Sequence, residues 1–453
     1  MSKIIPKLKK HPIEQGFTWI TDPVKYLETA VKDYPDLFLA NIVGEGGPTV
    51  FVQHPQAVQQ ILTGDRQNFI ASGKTHLLRP IIGNKSILGL DGNRHKKRRK
   101  LLLPSFHGDR IQAYGQLICD LTLQAFEQLT PNQIFTGITV CKEISLQVIL
   151  EAVYGLQDGD RALRQSVAKM ADIFRSPLKT ASLFFPWLQK DLGAWSPWGS
   201  FLRQRETIDQ AIYEKIKERK ANPDDSRQDI LSLLISSKDE AGNSLTLLEL
   251  RDELMALTFA GHETTAIAMS WALYWIHHLP EVKRKLLAEI ASLGKATDPV
   301  TIAKLPYLNA VCQETLRIYP VGMLTLPRVV QEKTEVLGYE LEPGQLVAGC
   351  IYLLHQREDV YPDAKQFKPE RFLEREFSPY EFIPFGGGLR TCIGQAMAQF
   401  EVKLAIATIL TNYDLELADN RPEFPKRLGA RLAPDRGVQM VLKGKRGALA
   451  SPK

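Results

Sequence analysis

The 453-residue sequence predicts a mainly α-helical protein with a small β-rich lobe, an α+β class. Three observations carry that expectation. Apolar residues from Leu101 to Gly294 recur mostly at helical spacing, and Leu245 to His278 reads as one long helix. β-like runs are short and confined to the first 55 residues, to Tyr339–Val347 and to Phe424–Leu442. No Gly/Ser-rich linker, low-complexity tract or internal repeat divides the chain, although length alone would allow about three domains.

Before Pro55, short β-like runs alternate with turns. Ile42–Val43 and Thr49–Val52 read as two strands joined through Gly44–Pro48, and Gln56–Leu62 as a short helix. Residues 68–90 carry Gly73, Pro80, Gly83 and Gly89 and read as a long irregular loop, a form that is often functional. Pro131, Gly155, Gly159 and Phe184–Trp187 interrupt the helical region. Three tryptophans and three phenylalanines fall between Ser182 and Phe201, as core or as the lining of an entrance to an apolar cavity. Tyr339–Val347 reads as a hairpin turning at Pro343–Gly344. A helix follows Cys392 to about Leu410, and the β-like tail ends in a basic, disordered stub.

Hydrophobic residues at 44% and charged residues at 24% are those of an ordinary globular protein. Five scattered cysteines, an odd number, argue against a disulfide framework and for a reducing, cytoplasmic compartment. The N-terminus holds no run long enough to span a bilayer and no signal-peptide core, so integral membrane contact is not expected. Its basic, partly apolar start suits at most a weak touch on an anionic surface. Net charge is +6. The cluster Arg94–Lys100 is basic, but no reader motif or interleaved aromatics accompany it, which argues against nucleic-acid binding.

The most informative segment is Phe385-Gly-Gly-Gly-Leu-Arg-Thr-Cys-Ile-Gly394. It sets Cys392 after a glycine-rich turn and before an apolar helical run, where a helix N-terminus favours a thiolate. Such a thiolate is a metal ligand or a nucleophile. A nucleophile wants a histidine partner, and zinc or an iron–sulfur cluster wants more ligands at short spacing; neither accompanies Cys392. One thiolate suffices as the axial ligand of a haem. Gly388 and Gly394 then leave room for the macrocycle, and Arg390 pairs with a propionate.

This segment resembles the haem-thiolate signature of the cytochrome P-450 superfamily, Phe-x-x-Gly-x-Arg-x-Cys-x-Gly, at every specified position. The resemblance implies that fold, with haem b between a long oxygen-activating helix and the Cys392 loop. It implies one haem domain over residues 20–442, after a lead-in (1–19) without a membrane anchor and before a basic tail (443–453). It implies a haem-thiolate monooxygenase, close to fatty-acid hydroxylases, that inserts one oxygen atom of O₂ into an apolar substrate.

Other matches agree. Ala260-Gly-His-Glu-Thr-Thr265 lies among apolar neighbours, where Thr264 can bond the carbonyl of Ala260 and loosen the helix. It resembles the family's oxygen-activation motif. By that resemblance Thr264 hydrogen-bonds dioxygen and Glu263 supplies protons through water. Glu314 and Arg317, three apart on a helix, would alone be a weak ion pair. With Arg371 after Pro369-Glu370, the resemblance makes them a buried triad that locks the Cys392 loop. Phe385 opens the haem-binding loop. Further propionate partners are Arg99, His95 in place of the family's tryptophan, and Arg328.

The remaining basic residues Lys96, Lys97, Arg98 and Lys100 read either as a docking face for an acidic ferredoxin or flavodoxin, or as a solvated helix face. Nothing in the chain reads as a fused reductase, so electrons come from a separate protein. Phe69–Leu88, Met255, Ala256, Phe259, Ala260 and Val321–Leu326, with Leu324 and Leu326, match the family's substrate-contact regions. Their apolar character implies a fatty acid, lipid, terpenoid or alkane. Ser72, Lys74, Thr75, His76 and Arg79 include a cation for a carboxylate. A monomer is expected. The alternatives are a peroxygenase, isomerase or dehydratase needing no donor, and a haem sensor or carrier.

Overall fold

The computed structural model describes residues 3–42, 47–64, 67–71, 79–156, 160, 163–167, 188–224, 226–239, 242–294 and 298–446. Two helices open the chain, α1 (Pro12–Thr21) and α2 (Pro23–Asp33). This corrects the expectation of β-like runs and turns there. Pro12 and Pro23 look like breakers, but each occupies the first helical turn, where a missing N–H leaves no bond unmade. Asp22 caps α2 by accepting from Lys25 N at 3.0 Å.

Strands β1 (Leu37–Ala40) and β2 (Thr49–Val52) pair antiparallel, so the first strand precedes Ile42. Then follow α3 (Pro55–Thr63), β3 (Phe69–Ala71), α4 (Arg79–Ile82), α5 (Gly92–Leu102), α6 (Asp109–Ala113), α7 (Gly115–Glu127), β4 (Ile134–Thr136), α8 (Gly137–Tyr154), α9 (Pro197–Ala221) and α10 (Ile230–Ser236). The long helix α11 (Leu247–His278) leads to α12 (Pro280–Ser292), α13 (Pro299–Ile302) and α14 (Pro306–Ile318).

Next come β5 (Arg328–Val330), β6 (Thr334–Val336), β7 (Tyr339–Leu341), β8 (Leu346–Gly349), α15 (Ile351–His355) and α16 (Arg371–Glu374). The chain closes with α17 (Gln395–Asn412), β9 (Tyr413–Leu417), β10 (Pro425–Leu428), β11 (Arg431–Pro434) and β12 (Gln439–Lys445). Strand β12 therefore runs past residue 442.

The main sheet has the order β1-β2-β8-β5-β3, with β2 and β8 parallel and the other pairs antiparallel. The hairpin expected over Tyr339–Val347 is not formed. Strand β7 pairs with β6 instead, across a two-residue turn at Leu337 (φ 52°) and Gly338 (φ 80°). Two successive positive φ values match the twist of an antiparallel pair. Pro343–Gly344 serves another purpose: Gly344 N donates to Val330 O at 2.8 Å, sending the chain into β8. Smaller sheets join β4-β12-β9 and β10-β11.

The chain forms two compact units, residues 1–72, 111–144 and 264–453 in one, and 73–110 and 145–263 in the other. The first holds every strand described and several buried apolar clusters, among them one around Val50, Val58, Ile61 and Val347 and another around Trp19, Phe38, Phe51 and Tyr352. In the same unit α7 packs along α17, the helix that follows Cys392. The second unit holds α4, α5, α9, α10 and the N-terminal half of α11.

Candidate active site

The Cys392 loop is built from local hydrogen bonds. Cys392 N donates to Phe385 O at 3.0 Å and Gly386 N to Ile383 O at 2.9 Å, closing a tight loop. A 3₁₀ turn spans Gly388–Arg390, and Gly388 has φ 67°, a left-handed value that favours glycine. Thr391 donates its hydroxyl back to Gly388 O at 2.8 Å. Helix α17 begins three residues beyond Cys392, with Gly394 as its N-cap.

Cys392 is exposed, Leu389 is 37% exposed, and Phe385 and Ile393 are half-buried. The other cysteines differ. Cys141, Cys312 and Cys350 are buried, and burial pushes each thiol up to about 12, where it stays protonated. Burial also raises the Cys119 thiol. None of the five forms a disulfide.

Two arginines stand beside this loop in the same unit. Arg328, fully buried, donates to Gly387 O at 3.1 Å and to Leu326 O at 2.5 Å. Arg390 donates to Ala71 O at 3.3 Å, and Ala71 is the register partner of Arg328 in the β3–β5 pair. Two guanidinium groups thus gather at one sheet corner against the glycine-rich loop.

These features suit a flat, apolar dianion such as haem. The donor is one exposed thiol within a half-exposed apolar surface, and cations adjoin it. Gly394 is informative here. Its φ of −88° is open to any residue, and an added Cβ would meet no atom of the described residues within 4 Å. Neither backbone nor protein neighbours require glycine there, so space in front of the loop remains for a bulky group.

Glu314, Arg317 and Arg371 are all buried and meet one another. Arg317 donates to both Glu314 oxygens at 2.7 and 2.8 Å, and Arg371 Nε to Glu314 Oε1 at 3.2 Å. Backbone groups complete the set. Lys368 N donates to Glu314 at 2.8 Å, and Arg317 and Arg371 donate to the carbonyls of His355 and Pro362. His355 carries the link onward: its Nε2 accepts from Ile383 N at 3.0 Å, next to the Cys392 loop. Burial and the neighbouring Arg317 push this imidazole down to about 3, so it stays neutral. Sequence reasoning missed His355; no local motif marks it.

On α11, residues 250–276 are buried almost throughout. Besides the half-buried Trp275 near its end, the exception is a mid-helix patch at Ala260, which is exposed, and at Gly261 and Thr264, which are half-buried. Spacings of one and four put these three on one face. Glu263 is buried beside them. Of the expected substrate residues, Met255 and Ala256 are closed off, Phe259 is nearly so, and Ala260 is open. Leu324 packs at the edge of the Trp19 cluster, and Leu326 is half-buried. Ser72, Lys74, Thr75, His76 and residues 182–187 lie outside the described residues; Arg79 opens α4.

On α5, His95 is buried and Arg99, one turn on, half-buried. Lys96, Lys97 and Lys100 are exposed, but Arg98 is not, which corrects its placement on a docking or solvated face. Arg98 donates to Glu249 at 2.8 Å, Glu253 at 3.1 Å and Lys85 O at 3.0 Å. The signal lay in its spacing from His95 and Leu102, which places all three on the inward face of α5.

Comparison with known proteins accords with this geometry. The family described as Cytochrome P-450 matches residues 18–440. A cytochrome P-450 135B1 of Mycobacterium tuberculosis is 32% identical over 440 residues, covering 96% of this chain and 91% of the relative. A cytochrome P-450 138 of the same species is 28% identical, covering 97% and 96%. Among solved structures, a retinoic acid-bound cyanobacterial CYP120A1 superposes with a TM-score of 0.85 at 23% identity, covering 98% of this chain and all of that one. The haem domain of cytochrome P-450DA gives 0.83 at 21%, covering 98% of each chain. These two establish the fold. The family match and the 32% relative establish more: this chain belongs to the cytochrome P-450 family, monooxygenases that bind haem b through a cysteine thiolate.

Proposed function

We propose that Cys392 is the haem ligand and that the chain hydroxylates or epoxidises an apolar, carboxylated substrate of the fatty-acid, lipid or terpenoid class. The observation that carries the reading is the open patch in the middle of α11 at Ala260, Gly261 and Thr264, with Glu263 buried beside it. Bound haem supplies the redox chemistry that activates O₂. The thiolate of Cys392 holds it, and Phe385, Gly388 and Gly394 shape the loop that receives it. Arg390, Arg328, Arg99 and His95 are its carboxylate partners.

Thr264 supplies the hydroxyl at this patch, and Glu263 is the proton source. A hydroxyl and a carboxyl one residue apart form a short relay, so protons arrive at a chosen atom and bulk water is kept away. Leu326, Phe259 and Ala260 are the apolar contacts. Arg79 supports the carboxylate: its Nε is buried with no hydrogen-bond acceptor among the described residues, and such a donor is costly unless a ligand supplies one. The retinoic acid held by the cyanobacterial fold relative is an apolar chain ending in a carboxylate. Electrons come from a separate ferredoxin or flavodoxin, with Lys96, Lys97 and Lys100 as the docking cations.

The test is titration of purified holoprotein with fatty acids and retinoids, following the low- to high-spin shift of the Soret band, then turnover with a ferredoxin, its reductase and O₂. Oxygenated product that depends on the donor supports the reading. Product from peroxide alone, or none from any acid, overturns it. Replacing Cys392 by Ala is expected to abolish both pigment and product.

A further inference from the structure

Helix α1 turns an apolar stripe outward. Ile13, Phe17 and Ile20 are 76%, 68% and 48% exposed. At 100° per residue they fall within an arc of about 60°. The opposite face is held firmly. Trp19 is buried against Tyr26 and Phe51, at ring distances of 5.7 and 5.6 Å, and Arg427 donates to its carbonyl at 2.7 Å. Gln15 donates to Lys10 O at 2.7 Å and accepts from Tyr26 and Asn41. The stripe is therefore presented on a fixed helix. Ile4, just upstream, is 89% exposed.

The charges near this stripe in sequence are mostly positive. Residues 3–25 carry Lys3, Lys7, Lys9, Lys10 and Lys25, all exposed, against Glu14 and Asp22. Glu14 is engaged by Lys10 at 2.7 Å. No helix among the described residues is long and apolar enough to cross a membrane. A helix with apolar side chains outward and lysines around it lies in the plane of a lipid–water interface. Anionic headgroups satisfy the lysines while the apolar side chains enter the acyl boundary. A second copy of the chain suits the surface poorly. Three side chains fall far short of the roughly 800 Å² per partner of a stable interface. A two-fold contact would also set the lysines of one copy against those of the other.

We propose that α1 and the lysines flanking it dock this protein on an anionic bilayer surface, with Ile13, Phe17 and Ile20 as the inserted side chains. The holoprotein is mixed with vesicles of equal parts phosphatidylcholine and phosphatidylglycerol, or of phosphatidylcholine alone, and sedimented. Wild type is expected to partition onto the anionic vesicles and to be released by salt. The Lys7→Gln/Lys9→Gln/Lys10→Gln variant should bind more weakly by about five-fold per lysine removed. The Ile13→Ser/Phe17→Ser/Ile20→Ser variant should lose roughly ten-fold or more. Both variants should keep the reduced carbon monoxide spectrum of wild type, which guards against a folding artefact. Equal partitioning of wild type and the serine variant, or no anionic preference, overturns the proposal. A concentration-dependent dimer in sedimentation velocity, abolished by the serine variant, assigns the stripe to a second copy and overturns it as well.

Discussion

Arg98 and Glu253 form a buried ion pair, with Arg98 Nη1 donating to Glu253 Oε1 at 3.1 Å. Glu253 also accepts from Ile87 N, and the same guanidinium reaches Glu249 and Lys85 O. One arginine thus ties α5 and the segment before it to the N-terminal half of α11. Removing one partner of a buried pair strands the other without compensation, at about 3–5 kcal/mol. Arg98→Gln is therefore expected to lower stability by that order in denaturant titration. Lys97→Gln, on the exposed face, should change it by less than about 0.5 kcal/mol. Equal effects of the two would show that Arg98 is not held this way in solution.

The pH dependence has two opposed components. Burial raises Glu253 to about 7, even with Arg98 alongside. Below the ordinary carboxyl value of 4.5 its contribution to stability is fully present, and it is lost as pH rises through 7. His355 and His277 behave oppositely. Burial holds each near 3, so the stability of the neutral rings is present above 6.5 and is lost as pH falls toward 3. Melting temperatures across pH 4–9 should show Glu253→Gln with a flatter slope than wild type on the neutral side. His355→Gln, which keeps an acceptor for Ile383 N, should flatten the acid side. Parallel curves for all three proteins would contradict both assignments.

Glu314 is the hub of the charged group it forms with Arg317 and Arg371. Its carboxylate accepts from Arg317, Arg371 and the Lys368 backbone, all in a buried setting. Glu314→Gln leaves two buried guanidinium groups without their anion, a loss of about 3–5 kcal/mol. Through Arg317, His355 and Ile383 the damage reaches the loop itself, so haem should transfer to apomyoglobin much faster than from wild type. Unaltered haem retention would separate this cluster from the loop.

Thr264 and Glu263 are expected to affect product formation more than binding. Thr264→Ala and Glu263→Gln should keep the substrate-induced Soret shift. Their oxygenated product per electron consumed should fall by about 10²-fold, in keeping with general acid–base catalysis. Loss of the spectral shift itself would reassign them to substrate positioning.

What the sequence determined by itself was local. The order of residues 385–394 specifies a tight turn, a thiol and a helix start within ten positions, and each part rests on near-neighbour hydrogen bonds. The three-residue step from Glu314 to Arg317 puts both on one helix face for the same reason. Likewise α11 and α17 follow from long, largely apolar runs without a breaker.

Tertiary structure decided whatever depends on residues distant in sequence. Strand β7 was expected to turn back at Pro343–Gly344, and pairing with β6 moved the hairpin to Leu337–Gly338. Arg98 looks like its cationic neighbours in residue type, and its spacing from His95 and Leu102 marks only its helix face; the carboxylates that pair with it lie on α11, some 150 positions away. His355 carries no motif and acquires its place from Arg317 and Ile383. A buried charge or ring takes its meaning from the partner that replaces water. That partner can be anywhere along the chain, so residue order alone does not reveal it.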